Sequence, residues 1–295
     1  MNEILKNAVN KCIGGLIEKK DSVLTCGNAK DLPSKDKVEE IISTVRGVIF
    51  PCYFADGLSD KEAIENKLIW LFDALRLQIK LAFGYEREML NSTPDEAGDD
   101  ERAETITAEF ISKLPEVFET ISLDIKATLA GDPAAHDLDE IILTYPGIEA
   151  VFVYRLAHIL YESKVPFIPR MMTEYAHSKT CIDINPGAKI GKSFVIDHGT
   201  GVVIGETTEI GEHVSIYQGV TLGAISLKDA RDLVGKKRHP TICDNVTIYA
   251  GASILGGETV IGEGAVIGSS VFLTSSVAAG VTVAMDKPKL KVTKK

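Results

Sequence analysis

Aliphatic residues in the last third of the chain recur at every sixth position, and that period rules out most ways in which 295 residues can fold. From about Cys181 they run Ile184, Ile190, Ile196 and Val202, then, after a two-residue slip, Ile204, Ile210, Ile216 and Leu222. A further series holds Ile242, Ile248 and Ile254, followed after a one-residue slip by Leu255, Ile261, Ile267 and Leu273. Glycine follows the aliphatic residue at 191, 205, 211, 262 and 268. A repeat of six matches neither the 3.6-residue period of a helix nor the two-residue period of a half-buried strand. It matches a coil of short flat strands, each sending one side chain inward before the chain turns. Glycine then serves the tight corners, and small Ser, Thr or Ala residues fill the prism.

The first 180 residues follow a helical grammar instead. In SDKEAIENKLIWLFDALRLQIKLAFG, Ser59 and Glu62 read as a capping box, and Ile64, Leu68, Leu71, Leu75 and Ile79 keep three- and four-residue steps up to Gly84, which is expected to close the helix. Trp70, Phe72 and Ile79 are expected in the core. The polar stretch at 91–101 reads as a loop, a second helical series continues through PEVFETISLDIKATLAG to Gly131, and another starts near Pro146-Gly147, with Pro166 and Pro169 marking its end. The expected division is a helical region over 1–178, of which 1–115 is a variable extension, a coil over 179–285 and a basic tail over 286–295.

Composition narrows the classes of partner. A formal charge of −10 repels nucleic-acid phosphate and anionic lipid. The lysines of KPKLKVTKK at the end read as a solvated tail. No apolar run is long enough to span a bilayer, and MNEILKNAVNKCIGG lacks the pattern of a secretion signal, so a cytoplasmic protein is expected. Five scattered cysteines without a CxxC pair read as structural thiols, not as a metal or redox site.

Chemistry is expected where the period stops. Between Leu222 and Ile242 the stretch GAISLKDARDLVGKKRHP replaces the repeat and ends in Arg238-His239-Pro240. A solenoid tolerates insertions as loops on one face, often the binding face. Asp197-His198 lies about two coils earlier and is expected to share an edge of the prism with that loop. An imidazole titrates near neutral pH and suits a general base, given a carboxylate to orient it and a cation to hold an anionic substrate. Asp183, Asp197, Glu206 and Arg238 are candidates for those parts. His213 reads as a solvated corner, and His158 and His177 as packing or interface residues.

DINPGAKIGKSFVIDHGTGVVIGET, SIYQGVTLG, RHP and GASILGG, together with LDIKATLAGDPAA (123–135) and the Tyr154–His158 segment, resemble the serine O-acetyltransferases, a family of hexapeptide-repeat acyltransferases. The resemblance covers roughly residues 120–285. It implies an α+β architecture, with an N-terminal all-helical domain followed by a C-terminal left-handed parallel β-helix of hexapeptide repeats. The implied reaction transfers acetyl from acetyl-CoA to the hydroxyl of L-serine, giving O-acetylserine and CoA in cysteine biosynthesis. On the matching positions, His198 becomes the catalytic base, Asp183 the aspartate paired with it, and His239 a second active-site histidine. Asp132, Asp197, Arg238 and Glu206 become serine-site residues, and Gly223 and Ala250 contacts of acetyl-CoA. No metal is implied. Trimers, paired into hexamers, and inhibition by L-cysteine are implied as well.

Besides Asn185, where many members read histidine, the chain departs from the family pattern in two places. The glycine-rich loop common after TLG is here Gly223-Ala224-Ile225-Ser226-Leu227-Lys228, and the chain ends Lys294-Lys295 where many members end in isoleucine. The second departure predicts weak or absent complex formation with cysteine synthase. Three other classes remain open to the sequence. A γ-class carbonic anhydrase would use His198, His213 and His239 as zinc ligands, although the HxxxxH pair of that family is absent. A sugar acyltransferase or a non-catalytic repeat scaffold would account for the coil alone.

Overall fold

The computed structural model describes residues 2–17, 32–54, 60–90, 92–225 and 235–286. Among these, the helices in chain order are α1 (Glu3–Ile17), α2 (Lys35–Ile49), α3 (Pro51–Phe54), α4 (Lys61–Met89), α5 (Glu96–Ser112), α6 (Leu114–Gly131), α7 (Leu138–Thr144), α8 (Pro146–Glu162) and α9 (Ile168–Thr180). Helix α4 presents Leu71, Leu75, Ile79 and Phe83 to the core, as the helical spacing predicts. Its boundaries differ from expectation. Asp60 is the N-cap, its side chain accepting the Ala63 N–H at 2.8 Å, while Ser59 lies outside the described residues. Gly84 does not end the helix, which runs on to Met89 because packing of its apolar face outweighs the local cost of one glycine.

Two other boundaries shift for equally local reasons. Residues 96–101 are helical, not loop, because Asp95 caps α5 by accepting the Gly98 N–H at 3.1 Å. Pro166 follows α8, but Pro169 sits in the first turn of α9, where a proline costs no hydrogen bond. Trp70 is half-buried against the core and Phe72 is half-buried, whereas Ile79 is fully buried.

The six-residue period builds a three-faced parallel β-solenoid, a β-helix of hexapeptide repeats. Its strands are β1 (Asp183–Ile184), β2 (Lys189–Ile190), β3 (Val195–Asp197), β4 (Val203–Ile204), β5 (Glu209–Ile210), β6 (Ser215–Tyr217), β7 (Thr221–Gly223), β8 (Thr241–Ile242), β9 (Thr247–Ile248), β10 (Ser253–Leu255), β11 (Val260–Ile261), β12 (Val266–Ile267), β13 (Phe272–Leu273) and β14 (Thr282–Val283). They stack into a first face β1-β4-β7-β10-β13, a second face β2-β5-β8-β11 and a third face β3-β6-β9-β12-β14. In register, Ile184, Ile204, Leu222, Ile254 and Leu273 form one aliphatic column, and Ile196, Ile216, Ile248 and Ile267 another. Backbone groups pair with the next coil, as in Asp183 N–H to Val202 O (2.9 Å) and Thr221 N–H to Ala252 O (2.9 Å), which satisfies peptide groups that the prism buries.

The register also locates both slips. The two-residue slip falls in the corner between the third and first faces, where 198–202 spans five residues and the corner above it, 218–220, only three. The one-residue slip falls after Ile254. Leu255 pairs with Gly223, outside the inward column, and Gly256 takes φ +104°, a conformation that suits glycine.

The helical region closes the first coil. Gly147, at the start of α8, packs so tightly on β3 that a Cβ there would lie 2.2 Å from the Ile196 carbonyl oxygen. The Tyr154 hydroxyl donates to Ala188 O (2.6 Å), and His158 Nδ1 lies 2.8 Å from Pro186 O. Beneath them Arg155 grips Asp124 of α6 with two nitrogens, at 2.7 and 3.0 Å. Asp124 also accepts the Phe194 N–H (2.9 Å), and Arg155 donates to Gly191 O (2.9 Å). Burial raises the Asp124 carboxyl pKa against the opposing pull of Arg155. Removing one partner of such a pair leaves the other charge buried and uncompensated. Arg155→Ala is expected to lower stability by about 3–5 kcal/mol, which denaturant unfolding at fixed protein concentration measures.

Candidate active site

Two clusters of polar side chains occupy two different edges of the prism. The first sits where the third face turns into the first. The two extra residues of this corner push His198 outward, leaving its side chain 71% exposed, with Nε2 3.9 Å from Asp197 Oδ2. His198 takes φ +57°, but Ser193, His213 and Asn245 adopt the same left-handed conformation at other corners. The coil therefore imposes that conformation, and it does not by itself mark a catalytic residue.

The α6–α7 connection brings Asp132 to this edge. Its carboxylate accepts the Tyr145 hydroxyl at 2.6 Å and the Ala134 N–H at 2.8 Å. The Tyr145 hydrogen bond, then that of Ala134, holds the Asp132 pKa below the ordinary aspartate value, and the nearby His198 works in the same direction. The same bond pushes the Tyr145 phenol up to about 12. Tyr217, in register with Asp197 on the neighbouring strand, stacks on Tyr249 with ring centroids 5.1 Å apart. Higher on the same edge the corner residues Thr200, Gln218 and Ala250 stack by backbone bonds, Gly219 N–H to Thr200 O and Gly251 N–H to Gln218 O, both 2.9 Å. Gly201, Gly219 and Gly251 line this column, and a Cβ on Gly251 would meet nothing nearer than Ser270 Oγ at 3.6 Å. The edge thus keeps an open strip leading away from His198.

The second cluster sits where the first face turns into the second. Glu206 forms an ion pair with Arg238 and accepts the Tyr161 hydroxyl at 2.9 Å. Despite burial, these two partners hold the Glu206 pKa below its ordinary value. His239 is buried against Gly205, whose added Cβ would lie 2.1 Å from His239 Cδ2, so only glycine leaves room for the ring. Burial, helped by Arg238 and opposed by Glu206, pushes the His239 pKa down to about 4. The imidazole is neutral across the physiological range. Gly223 ends β7 near this edge and packs on Leu255, which a Cβ would meet at 2.9 Å.

The expectation that Asp197-His198 and Arg238-His239 share one edge is therefore corrected. A coil has three corners, and counting coils along the sequence does not say which corner an inserted loop occupies. Gly223 and Ala250 are divided between the two edges in the same way. Asp183 is not hydrogen-bonded to His198 within the chain. It stands outward on β1 and accepts Arg170 Nη1 at 2.9 Å. Glu174 and His177 also approach Asp183, with one ligand atom from each of the three within 4.8 Å of the others, and Arg170 supplies positive charge to that group by pairing with Glu174 as well. His198, His213 and His239 occupy three different corners, so one chain does not converge them on a metal. Sequence reasoning missed Tyr145, Tyr161 and Arg170, which lie outside the motifs, and Thr207, which ends one of them with no local sign of its contact.

No protein-family model matches the chain. A serine acetyltransferase encoded on a plasmid of Synechococcus elongatus is 44% identical over 233 residues, covering 75% of this chain and 72% of that protein. The chain belongs to the serine acetyltransferase family. A serine acetyltransferase of Helicobacter pylori is 49% identical over 135 residues, 45% of this chain and 74% of that protein. Among solved structures, Entamoeba histolytica serine acetyltransferase 1 in complex with L-cysteine superposes with a TM-score of 0.73 at 37% identity, covering 87% of this chain and 88% of that one. The serine acetyltransferase of Neisseria gonorrhoeae in complex with serine gives 0.56 at 28% identity, covering 84% and 97%. The likeness to the Entamoeba protein spans the helical region as well as the coil. Relative to other serine acetyltransferases, the loop 226–234 and the tail 287–295 lie outside the described residues, so the expectations placed on them gain no structural account.

The Asp132–Tyr145 pair makes one direct prediction. Tyr145→Phe removes the main cause of the lowered pKa, so the Asp132 carboxyl should titrate at higher pH, as read by carboxyl-carbon NMR. An unchanged titration would show that Tyr145 does not control this charge.

Proposed function

We propose that this chain transfers acetyl from acetyl-CoA to the hydroxyl of L-serine, giving O-acetylserine and CoA in cysteine biosynthesis. Family membership supports the reaction, and the edge where Asp132, Asp197 and His198 meet is the observation that carries it to particular residues. Asp132 and Asp197 supply negative charge for the ammonium and hydroxyl of serine. Arg238, fixed by Glu206, offers a planar fork for its carboxylate. His198, exposed and next to that position, takes the hydroxyl proton as the oxygen attacks the thioester carbonyl. His239 donates a hydrogen bond to the oxygen that gains charge. When the carbon–sulfur bond breaks, His198 returns its proton to the departing thiolate.

These roles require two copies. Each prism carries the His198 set on one edge and the Arg238–His239 set on another, so a complete site forms where the first edge of one chain meets the second edge of its neighbour. The first face between those edges keeps Val203 and Phe272 outward and exposed, which favours burial against another copy. We assign a trimer of prisms, paired through the helical regions into a hexamer. Asp183 then balances the imidazolium at the junction, and its bond to Arg170 makes it the member that must change partner. The open glycine strip beside Ala250 and the Gly223 region of the neighbour frame the thioester arm. Binding of L-cysteine at the serine site fits the same charges, an ammonium and a carboxylate.

Free thiols at Cys12, Cys52, Cys181 and Cys243 agree with a reducing compartment, the cytoplasm. Among the described residues no helix is long and apolar enough to cross a membrane.

Two measurements test the reading. Thiol release from acetyl-CoA with L-serine should fall by about 100- to 10,000-fold in His198→Ala, and unchanged release would remove His198 as the base. Oligomers mixed from His198→Ala and His239→Ala chains should regain turnover that neither has alone. Mixed oligomers as inactive as their parents would rule out a site shared between copies.

A further inference from the structure

The Thr207 side chain and backbone converge on the buried face of His239. The Thr207 N–H donates to His239 Nδ1 at 3.0 Å, and Thr207 Oγ1 lies 2.9 Å from the same nitrogen. That hydroxyl oxygen also accepts two backbone N–H groups, of Arg238 at 2.9 Å and of His239 itself at 3.1 Å. A threonine hydroxyl has two lone pairs and one proton. With both lone pairs facing amides, its proton is left for Nδ1. The nitrogen therefore faces two donors and holds no proton of its own. In a neutral imidazole the proton then sits on Nε2. Gly205, pressed against Cδ2 and Nε2, prevents the ring from tilting away, and Lys237 Nζ anchors the Thr207 carbonyl at 2.8 Å.

We propose that Thr207 is a positioning residue that locks His239 in its Nε2–H tautomer, making His239 a standing hydrogen-bond donor that cannot act as a base. The consequence divides the labour between the two histidines. His198 sits on an exposed corner where, among the described residues, no such pair of donors faces its ring. His239 is restricted to stabilising charge. Protonation of His239 would require Nδ1 to become a donor facing two other donors, so the lock also opposes the cationic form. The depressed pKa of His239 agrees with this. The inference rests on the proposed acetyl transfer only for its kinetic consequence, because the tautomer is a property of the free protein.

The test uses full-length protein labelled with nitrogen-15 at histidine, with His239→Gln to assign the signal. Long-range proton–nitrogen correlations should show an unprotonated Nδ1 and a protonated Nε2 from about pH 6 to about pH 8, a span that brackets the ordinary imidazole value of about 6.5. Thr207→Val should mix the tautomers and lower kcat by about 10- to 100-fold, with the KM for L-serine nearly unchanged and the acidic limb of the rate profile moved to higher pH. Thr207→Ser, which keeps the hydroxyl, should restore all of these. A protonated Nδ1 in the wild-type protein would overturn the lock, and an unaltered His239 spectrum in Thr207→Val, which loses the hydroxyl but keeps the backbone N–H on Nδ1, would overturn the part assigned to the hydroxyl. Full turnover by His239→Ala would instead overturn the proposed role of His239 in acetyl transfer, while the wild-type spectrum still judges the lock.

Discussion

The junction between helices and coil depends on one buried ion pair. Asp124 is fully enclosed, Arg155 nearly so, and the two hydrogen bonds between them leave further donors and acceptors that are completed by the Phe194 amide and the Gly191 carbonyl. A charge pair of this kind adds little net stability compared with apolar packing, because desolvation offsets attraction. Its value lies in direction. It ties α6 and α8 to the corner between β2 and β3, and thereby sets where α6 ends and where β3 begins. Asp132 lies at the end of the first and Asp197 at the end of the second.

Geometry then distributes chemistry over the prism. Each coil has three corners, and a flat two-residue strand separates one from the next. Side chains at successive corners therefore point away from each other, and no conformational change short of unwinding the coil would bring them together. The two polar clusters are each internally satisfied, with Tyr145 on Asp132, and Tyr161 and Arg238 on Glu206. In the proposed trimer, each cluster would supply one half of a site whose other half comes from a neighbouring copy.

The fold was largely legible because a six-residue period is hard to confuse with anything else, and the inward columns follow it except at Val202 and Leu255, where the two slips fall. Leu255 was misplaced because its neighbour Gly256 absorbs the slip through a left-handed backbone, which the spacing of aliphatic residues does not reveal. Helix boundaries were read less well. Gly84 looked like a stop, and residues 96–101 looked like a loop, because local propensity is a weak guide where an apolar face is packed or a side chain caps the end. The candidate residues came from a resemblance in short motifs. Tyr145, Tyr161, Thr207 and Arg170 act through contacts with residues 13 to 45 positions away, and no local pattern announces such a partner.

By itself, then, the sequence determined the coil, the helical region before it and the identity of the histidines and carboxylates, since period and residue type are local properties. Only the tertiary structure decided which corner each of them occupies. That depends on where slips and insertions fall in the register, and on which buried group closes the end of the prism. The same register separates His198 from His239 and gives the second histidine its threonine, leaving the first ring open to solvent and the second walled in.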